Sequence, residues 1–322
     1  MRIFQKPADR DFVVLNLSDP QMTGAEWADD HPYGSILTYT ITQLIRRSNP
    51  DLITVTGDIA YPGEDASYER FAQLLDGFGI PWAVVWGNHD HQGGIAPIQK
   101  AAELFRKHPL CQFEAGDPAL GNGNYILGIC EGALPLTALF LIDSHCGVEV
   151  TLEHGEKKQV YDKLWPNQLD WIGREAAQLK RDGFQDAVLL LHMPPYCYHA
   201  AALSVFPEGR GGDSAQYGQQ HELIASHPFE DGVLPVLKQT DLITHVLAGH
   251  DHCNNFMIDQ EGIRLMFACK TGPGCYWQEK LNGGTVITVN SRGVQSVRHE
   301  FVDVSHLTRG QNIPEFTYRW TK

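Results

Sequence analysis

Long apolar runs are what this sequence most clearly lacks: nowhere in its 322 residues is there the roughly 18 to 20 consecutive apolar residues that span a bilayer. No membrane role is expected. The first residues, Met1 to Arg10, are polar and run straight into the apolar Phe12 to Leu17. A basic region followed by an apolar stretch and a small-residue cleavage site is missing, so a secretory signal is not expected. Paired cysteine motifs are missing too. Cys111, Cys130, Cys146, Cys197, Cys253, Cys269 and Cys275 form an odd set without a CxxC spacing, which reads as reduced thiols in a cytoplasmic protein. Positive charge is scarce, with 25 Lys and Arg against 39 Asp and Glu and a formal net charge of −14. Unspecific nucleic-acid binding needs a basic face, so a polynucleotide substrate is disfavoured. A cleft made locally positive by metal ions would still accept a phosphate. No internal repeat and no Pro/Gly/Ser-rich linker divides the chain, which points to one domain over residues 1–304 followed by a polar tail, 305–322.

What is present is an ordinary globular composition, 43% hydrophobic and 20% charged, with strands and helices in alternation. Phe12 to Leu17, Asp51 to Thr56 and Trp82 to Trp86 are short apolar, partly β-branched runs. Between them, Ser35 to Arg47 and Tyr68 to Phe78 carry apolar residues at helical spacing. Tyr125 to Cys130, Ala138 to Ile142, Ala187 to Leu191 and His245 to Ala248 continue the strand series, with a helix over Gln168 to Lys180. Buried strands alternating with helices imply an α/β fold with parallel pairing. The later runs, Ile263 to Ala268, Thr285 to Val289 and Val294 to Asp303, read as more antiparallel. Pro194 to Gly232 shows no clear periodicity, and a stretch of that length suggests a lid or binding loop.

Five of these strands end in residues of one chemical kind: Asp19 with Gln21, Asp58, Asn88 with His89, His192, and His250 with His252. In open α/β sheets, ligands gather outside the carboxyl ends of strands. One histidine after an apolar strand is more often structural, and Gly57-Asp58 alone is a turn. The ordered set of five is hard to explain by packing, and it supplies enough oxygen and imidazole donors for two metal ions.

The set resembles the calcineurin-like metallophosphoesterase superfamily, whose ordered blocks D-x-H, GD, GNH(D/E), H and GHxH correspond to Asp19-Pro20-Gln21, Gly57-Asp58, Gly87-Asn88-His89-Asp90, His192 and Gly249-His250-Asp251-His252. Ile80-Pro81-Trp82-Ala83 before the third block, Gly218-x-x-x-Glu222 and the continuation Cys253-Asn254 are most similar to the purple acid phosphatase 29-like and Dcr2-like branch. The resemblance implies a two-sheet α-β-β-α sandwich flanked by helices, with two divalent or mixed-valence ions (Fe, Mn or Zn) at the strand ends. It implies that Asp58 bridges the ions, that Asp19 and His252 complete the first site, and that Asn88, His192 and His250 complete the second. Gln21 stands where most relatives place a histidine. Its amide oxygen is a weaker ligand, and Tyr61, three residues after Asp58, has the spacing of the tyrosinate ligand of purple acid phosphatases. The alternative for Tyr61 is a residue lining the cleft. His89, next to a ligand but outside the ligand set, would donate a proton to the leaving group or only orient the site. His91, His199, Arg210 and Lys270 are weaker phosphate-contact candidates, with solvated loop positions as the default. The expected function is hydrolysis of a phosphate monoester, on a small molecule or a phosphoprotein, by water activated between two metals. The alternatives are a diesterase for cyclic nucleotides or other small diesters, and a metal-poor protein-binding scaffold. Nothing in the sequence sets an oligomeric state.

Overall fold

The computed structural model describes residues 1–61, 65–92, 94–152, 154–207 and 212–316; Arg210, Tyr318 and Trp320 lie outside them. The chain begins β1 (Arg2–Gln5), β2 (Phe12–Leu17), α1 (Pro32–Ser48), β3 (Leu52–Thr56), α2 (Asp65–Asp76), β4 (Trp82–Val85) and α3 (Ile95–Phe105). Two hairpins follow, β5 (Tyr125–Glu131) with β6 (Leu134–Leu141), and β7 (Gly147–Thr151) with β8 (Lys157–Tyr161). Next come α4 (Pro166–Arg181), β9 (Asp186–Leu191), α5 (Cys197–Val205), the small hairpin β10 (Gly212–Ser214) and β11 (Gly218–Gln220), and α6 (Val233–Thr240). The chain closes with β12 (Ile243–Ala248), β13 (Met257–Gln260), β14 (Ile263–Phe267), β15 (Gly283–Asn290), β16 (Gly293–Phe301) and α7 (Ser305–Thr308).

Two sheets carry the fold: seven strands in the order β1-β5-β6-β9-β12-β14-β13, and five in the order β16-β15-β2-β3-β4. The period-2 alternation of strands explains how they stack. In β9, Val188 and Leu190 face the five-stranded sheet, whereas Ala187, Leu189 and Leu191 face outward under α4, α5 and α6. Leu139 and Leu141 of β6 face inward in the same way, and Ala138 and Phe140 outward. Strands covered on both faces must be apolar throughout, which is why they read as unbroken runs. On the far side of the five-stranded sheet, α1 buries Ile36, Leu37, Ile41 and Leu44. It starts at a His31 cap with Pro32 in its first turn and stops at Asn49 in the left-handed conformation. The result is the expected four-layer α-β-β-α sandwich.

The antiparallel ending is more divided than the sequence suggests. β13 pairs antiparallel with β14, but β14 runs parallel to β12, and the chain then crosses to the other sheet for β15 and β16. The stretch 194–232 is also not all loop, because it contains α5 and the β10–β11 hairpin. Helix α5 is almost wholly apolar (CYHAAALSV), so it has no polar face to mark a period. Similarly, α6 carries Pro235 near its start, and the polar β1 is an edge strand paired only with β5.

Candidate metal centre

Five buried strands, β2, β3 and β4 from one sheet and β9 and β12 from the other, deliver their following residues to one place where the sheets meet. Backbone geometry at these ends is unusual. Asp19, Gln21, Asp58 and His250 all have positive φ (54°, 45°, 51° and 77°), a region that non-glycine residues enter at a cost of about 1–3 kcal/mol each. Glycines make the approach possible. A Cβ on Gly87 would be driven into the Asp58 carboxylate and backbone, and one on Gly57 into the Gly87 backbone and the His192 ring.

The side chains form a compact buried cluster. The Asp58 carboxylate accepts the His89 backbone N–H at 2.8 Å and the Gln21 amide N–H at 2.6 Å, and lies 3.3 Å from His192 Nε2. That same nitrogen is 3.0 Å from Asn88 Oδ1 and 3.2 Å from His250 Nδ1, while His192 Nδ1 is held by the Thr56 carbonyl at 2.8 Å. Asp19 accepts from the Ser18 hydroxyl and the His250 backbone N–H, and its Oδ1 lies 3.4 Å from His252 Nε2. His252 is oriented from behind by Nδ1 against the Tyr276 carbonyl at 2.7 Å.

Two features show that this donor set fits cations. Asp19 Oδ1, Gln21 Oε1 and His250 Nε2 are buried without a hydrogen-bond partner, and such orphaned atoms are rare and call for an explanation. The charges also ask for a cation. Burial alone would raise the Asp19 carboxyl, but the nearby His252 imidazole and the His192 charge hold it at about 2. Asp58 is likewise lowered despite its burial by the charge and hydrogen bond of His192. Burial disfavours a charged His192, yet Asp58 and Asp19 push it up to about 10, whereas burial and the charge of His192 push His250 down to about 3. Without metal, a proton on His192 takes the place of the positive charge that the two carboxylates demand. Asp58, His192 and His250 each point a ligand atom into a space less than 4.8 Å across.

The calcineurin-like phosphoesterase family model matches residues 12–254, well over half of the chain. The chain belongs to that family. Its curated relatives include phosphatase DCR2 of Saccharomyces cerevisiae, 25% identical over 269 residues that cover 76% of this chain and 43% of the relative. A protein named probable inactive purple acid phosphatase 29, from Arabidopsis thaliana, is 25% identical over 74% of this chain and 64% of its own length. A cAMP/cGMP dual specificity phosphodiesterase of Mycobacterium tuberculosis is 28% identical over 58% of this chain and 50% of its own. The chain thus spans about half to two thirds of the length of these relatives. A solved dimetal phosphatase from Danio rerio superposes with a TM-score of 0.57 over 92% of this chain and 98% of that one; at 15% identity it speaks for the fold alone.

Measured against the family's blocks, the structure brings Asp19, Gln21, Asp58, Asn88, His192, His250 and His252 together. Gln21 turns its NH₂ toward Asp58 and leaves its oxygen orphaned. Tyr61, itself 36% exposed, stands edge-on to His89 with ring centroids 4.5 Å apart. His89 keeps Nδ1 at 2.8 Å from the Gln92 amide, so with Gln92 donating, the ring proton sits on Nε2, which is 3.9 Å from Asp58. Of the weaker candidates, His91 is tied to buried Asp143 at 3.0 Å and His199 to Ser226 at 2.8 Å. Lys270 departs from the solvated default: it is 2% exposed and donates to the Asp19 carbonyl. Sequence reasoning named this lysine only as a solvated phosphate contact, and missed Tyr276 and Tyr161, whose rings pack on His252 and His250. The signal available for Lys270 and Tyr276 was that β14 is another inner strand ending in a Gly-Pro-Gly turn, Gly272 to Gly274, a strand end like the other five.

Proposed function

We propose that this chain is a dinuclear-metal phosphoesterase acting on phosphate monoesters. The observation that carries the proposal is the convergence, at the strand ends of both sheets, of ionised carboxylates with three buried donor atoms that have no partner within the protein. Asp19, His252 and the Gln21 oxygen would hold one ion, Asn88, His192 and His250 the other, and Asp58 both. When bound, two such ions supply Lewis acidity toward water and toward the phosphoryl oxygens. The chain's own residues do the rest. Asp58, fixed by the His89 and Gln21 N–H groups, keeps its negative charge at the centre of the cluster. His89 presents Nε2–H on the Asp58 side; as the imidazolium, with the Gln92 amide turned so that its oxygen accepts from Nδ1–H, it would pass the Nε2 proton to the leaving oxygen and be left as neutral imidazole. Tyr61 would wall this side of the cleft rather than ligate, since its ring packs on His89.

The test compares hydrolysis of a chromogenic phosphate monoester and its matched diester by manganese-loaded protein, with Asp58→Asn as control. Monoester preference that disappears in the variant supports the proposal. Diester preference would favour the second reading, which the phosphodiesterase relative suggests. Confirmed metal uptake without turnover of either ester would mean a narrow substrate gate or a scaffold; some relatives carry "inactive" in their names.

A further inference from the structure

Glu222 is a buried carboxylate that belongs to no ligand set, and its contacts close a ring around His252. Its Oε1 accepts the backbone N–H of Cys253, the residue after His252, at 2.5 Å. Its Oε2 accepts the Tyr276 hydroxyl at 2.7 Å. The Tyr276 ring lies flat on the His252 imidazole, centroids 3.9 Å apart and planes 20° from parallel, while the Tyr276 carbonyl takes His252 Nδ1. Carbonyl and ring therefore constrain different things: the first fixes which nitrogen carries the proton, the second opposes rotation of the imidazole out of its plane.

The Tyr276 ring also meets the C-terminal segment. The Phe316 ring is 4.9 Å from it, and the Phe316 N–H donates to the Trp277 carbonyl at 2.8 Å. Thr308 adds a hydrogen bond to Glu279 at 2.7 Å, so the segment is laid along residues 276–279. We infer that Tyr276 is a positioning residue for His252, clamped between Glu222 and Phe316, and that the first metal site therefore depends on a tail that contributes none of its ligands. This rests on the reading of His252 as a metal ligand.

Titration of the metal-free 322-residue chain with Mn²⁺ tests the inference, with binding heats and bound-metal stoichiometry as readouts independent of turnover. His252→Ala identifies the binding step that belongs to the first site. Phe316→Ala and Tyr276→Leu should each weaken that step about ten-fold or more and leave the other unchanged, the size typical of losing a partner that orients a ligand. Tyr276→Phe, which keeps the stack and loses only the Glu222 bond, should fall between these and the unaltered protein. If Tyr276→Leu does not fold, Phe316→Ala and Tyr276→Phe carry the test. Unchanged affinities in these variants, or equal weakening of both steps, would overturn the clamp and leave the dinuclear reading intact. An unaltered protein that takes up less than one ion per chain would overturn the dinuclear reading itself, and the clamp with it.

Discussion

His89 and Glu222 both lie outside the candidate ligand set and make different predictions. His89 touches the reacting region without belonging to the ligand set, so His89→Asn should lower kcat by about 10²–10⁴-fold while metal analysis still finds two ions per chain. Lost metal would make it a ligand or an orienting residue instead. Glu222 bears on stability. Burial raises its carboxyl to about 7, against an ordinary 4.5, although Cys253 and Tyr276 donate to it. Between those values the folded chain keeps a proton that the unfolded chain has lost, so the contribution of this group to stability falls as pH rises through the window. Because buried His245, His250 and His299, held well below the ordinary imidazole range, contribute with the opposite sign over the same window, the fall is read as a difference: the melting temperature of metal-free protein minus that of metal-free Glu222→Gln should decrease from about pH 4.5 to 7. At this scale the candidate donors that the structure gathers were legible from sequence alone, because a chemically uniform residue set after apolar runs has no packing explanation. The orientation of Gln21 and the companions Glu222, Tyr276 and Lys270 were not, since each acts through contacts across more than 30 positions of chain.

At the scale of elements, each ligand is placed by a strand and by the turn after it. Asp58 and the residues at Gly87 approach so closely that no side chain fits between them. Gly87→Ala should therefore cost metal binding more than fold: circular dichroism close to that of the unaltered protein, with manganese uptake reduced to one ion or none. Uptake of two ions would show that the β4 end can shift to make room. Strands β2, β3, β4, β9 and β12 were readable because burial on both faces enforces apolar composition. Helix α5 was not, because a short helix that is apolar on its exposed side (Ala200, Leu203) as well as on its buried one leaves no periodic signal. The β7–β8 hairpin, which sets Tyr161 against His250, is exposed and polar and has no hydrophobic pattern of its own.

Across the whole molecule, the cluster draws Asp19, Asp58 and Asn88 from the five-stranded sheet and His192, His250 and His252 from the seven-stranded one. Ions bound there would tie the two sheets together, and a ligand that binds only the folded state stabilises it, by about 2.7 kcal/mol at 100 times its Kd. Chelation should lower the melting temperature by several degrees, and excess manganese should restore it. Asp58→Asn should show a smaller difference between chelated and loaded protein. Sequence by itself determined the class of fold, the layer of strands that must be buried, and the identity of the donors, because hydrophobic periodicity and residue chemistry are local properties. Only the tertiary structure decided which donor atoms are left unpaired, that Tyr61 rests on His89, and that the tail reaches Tyr276. Those facts depend on how two sheets stack and where the chain crosses between them, and no stretch of sequence encodes that by spacing alone.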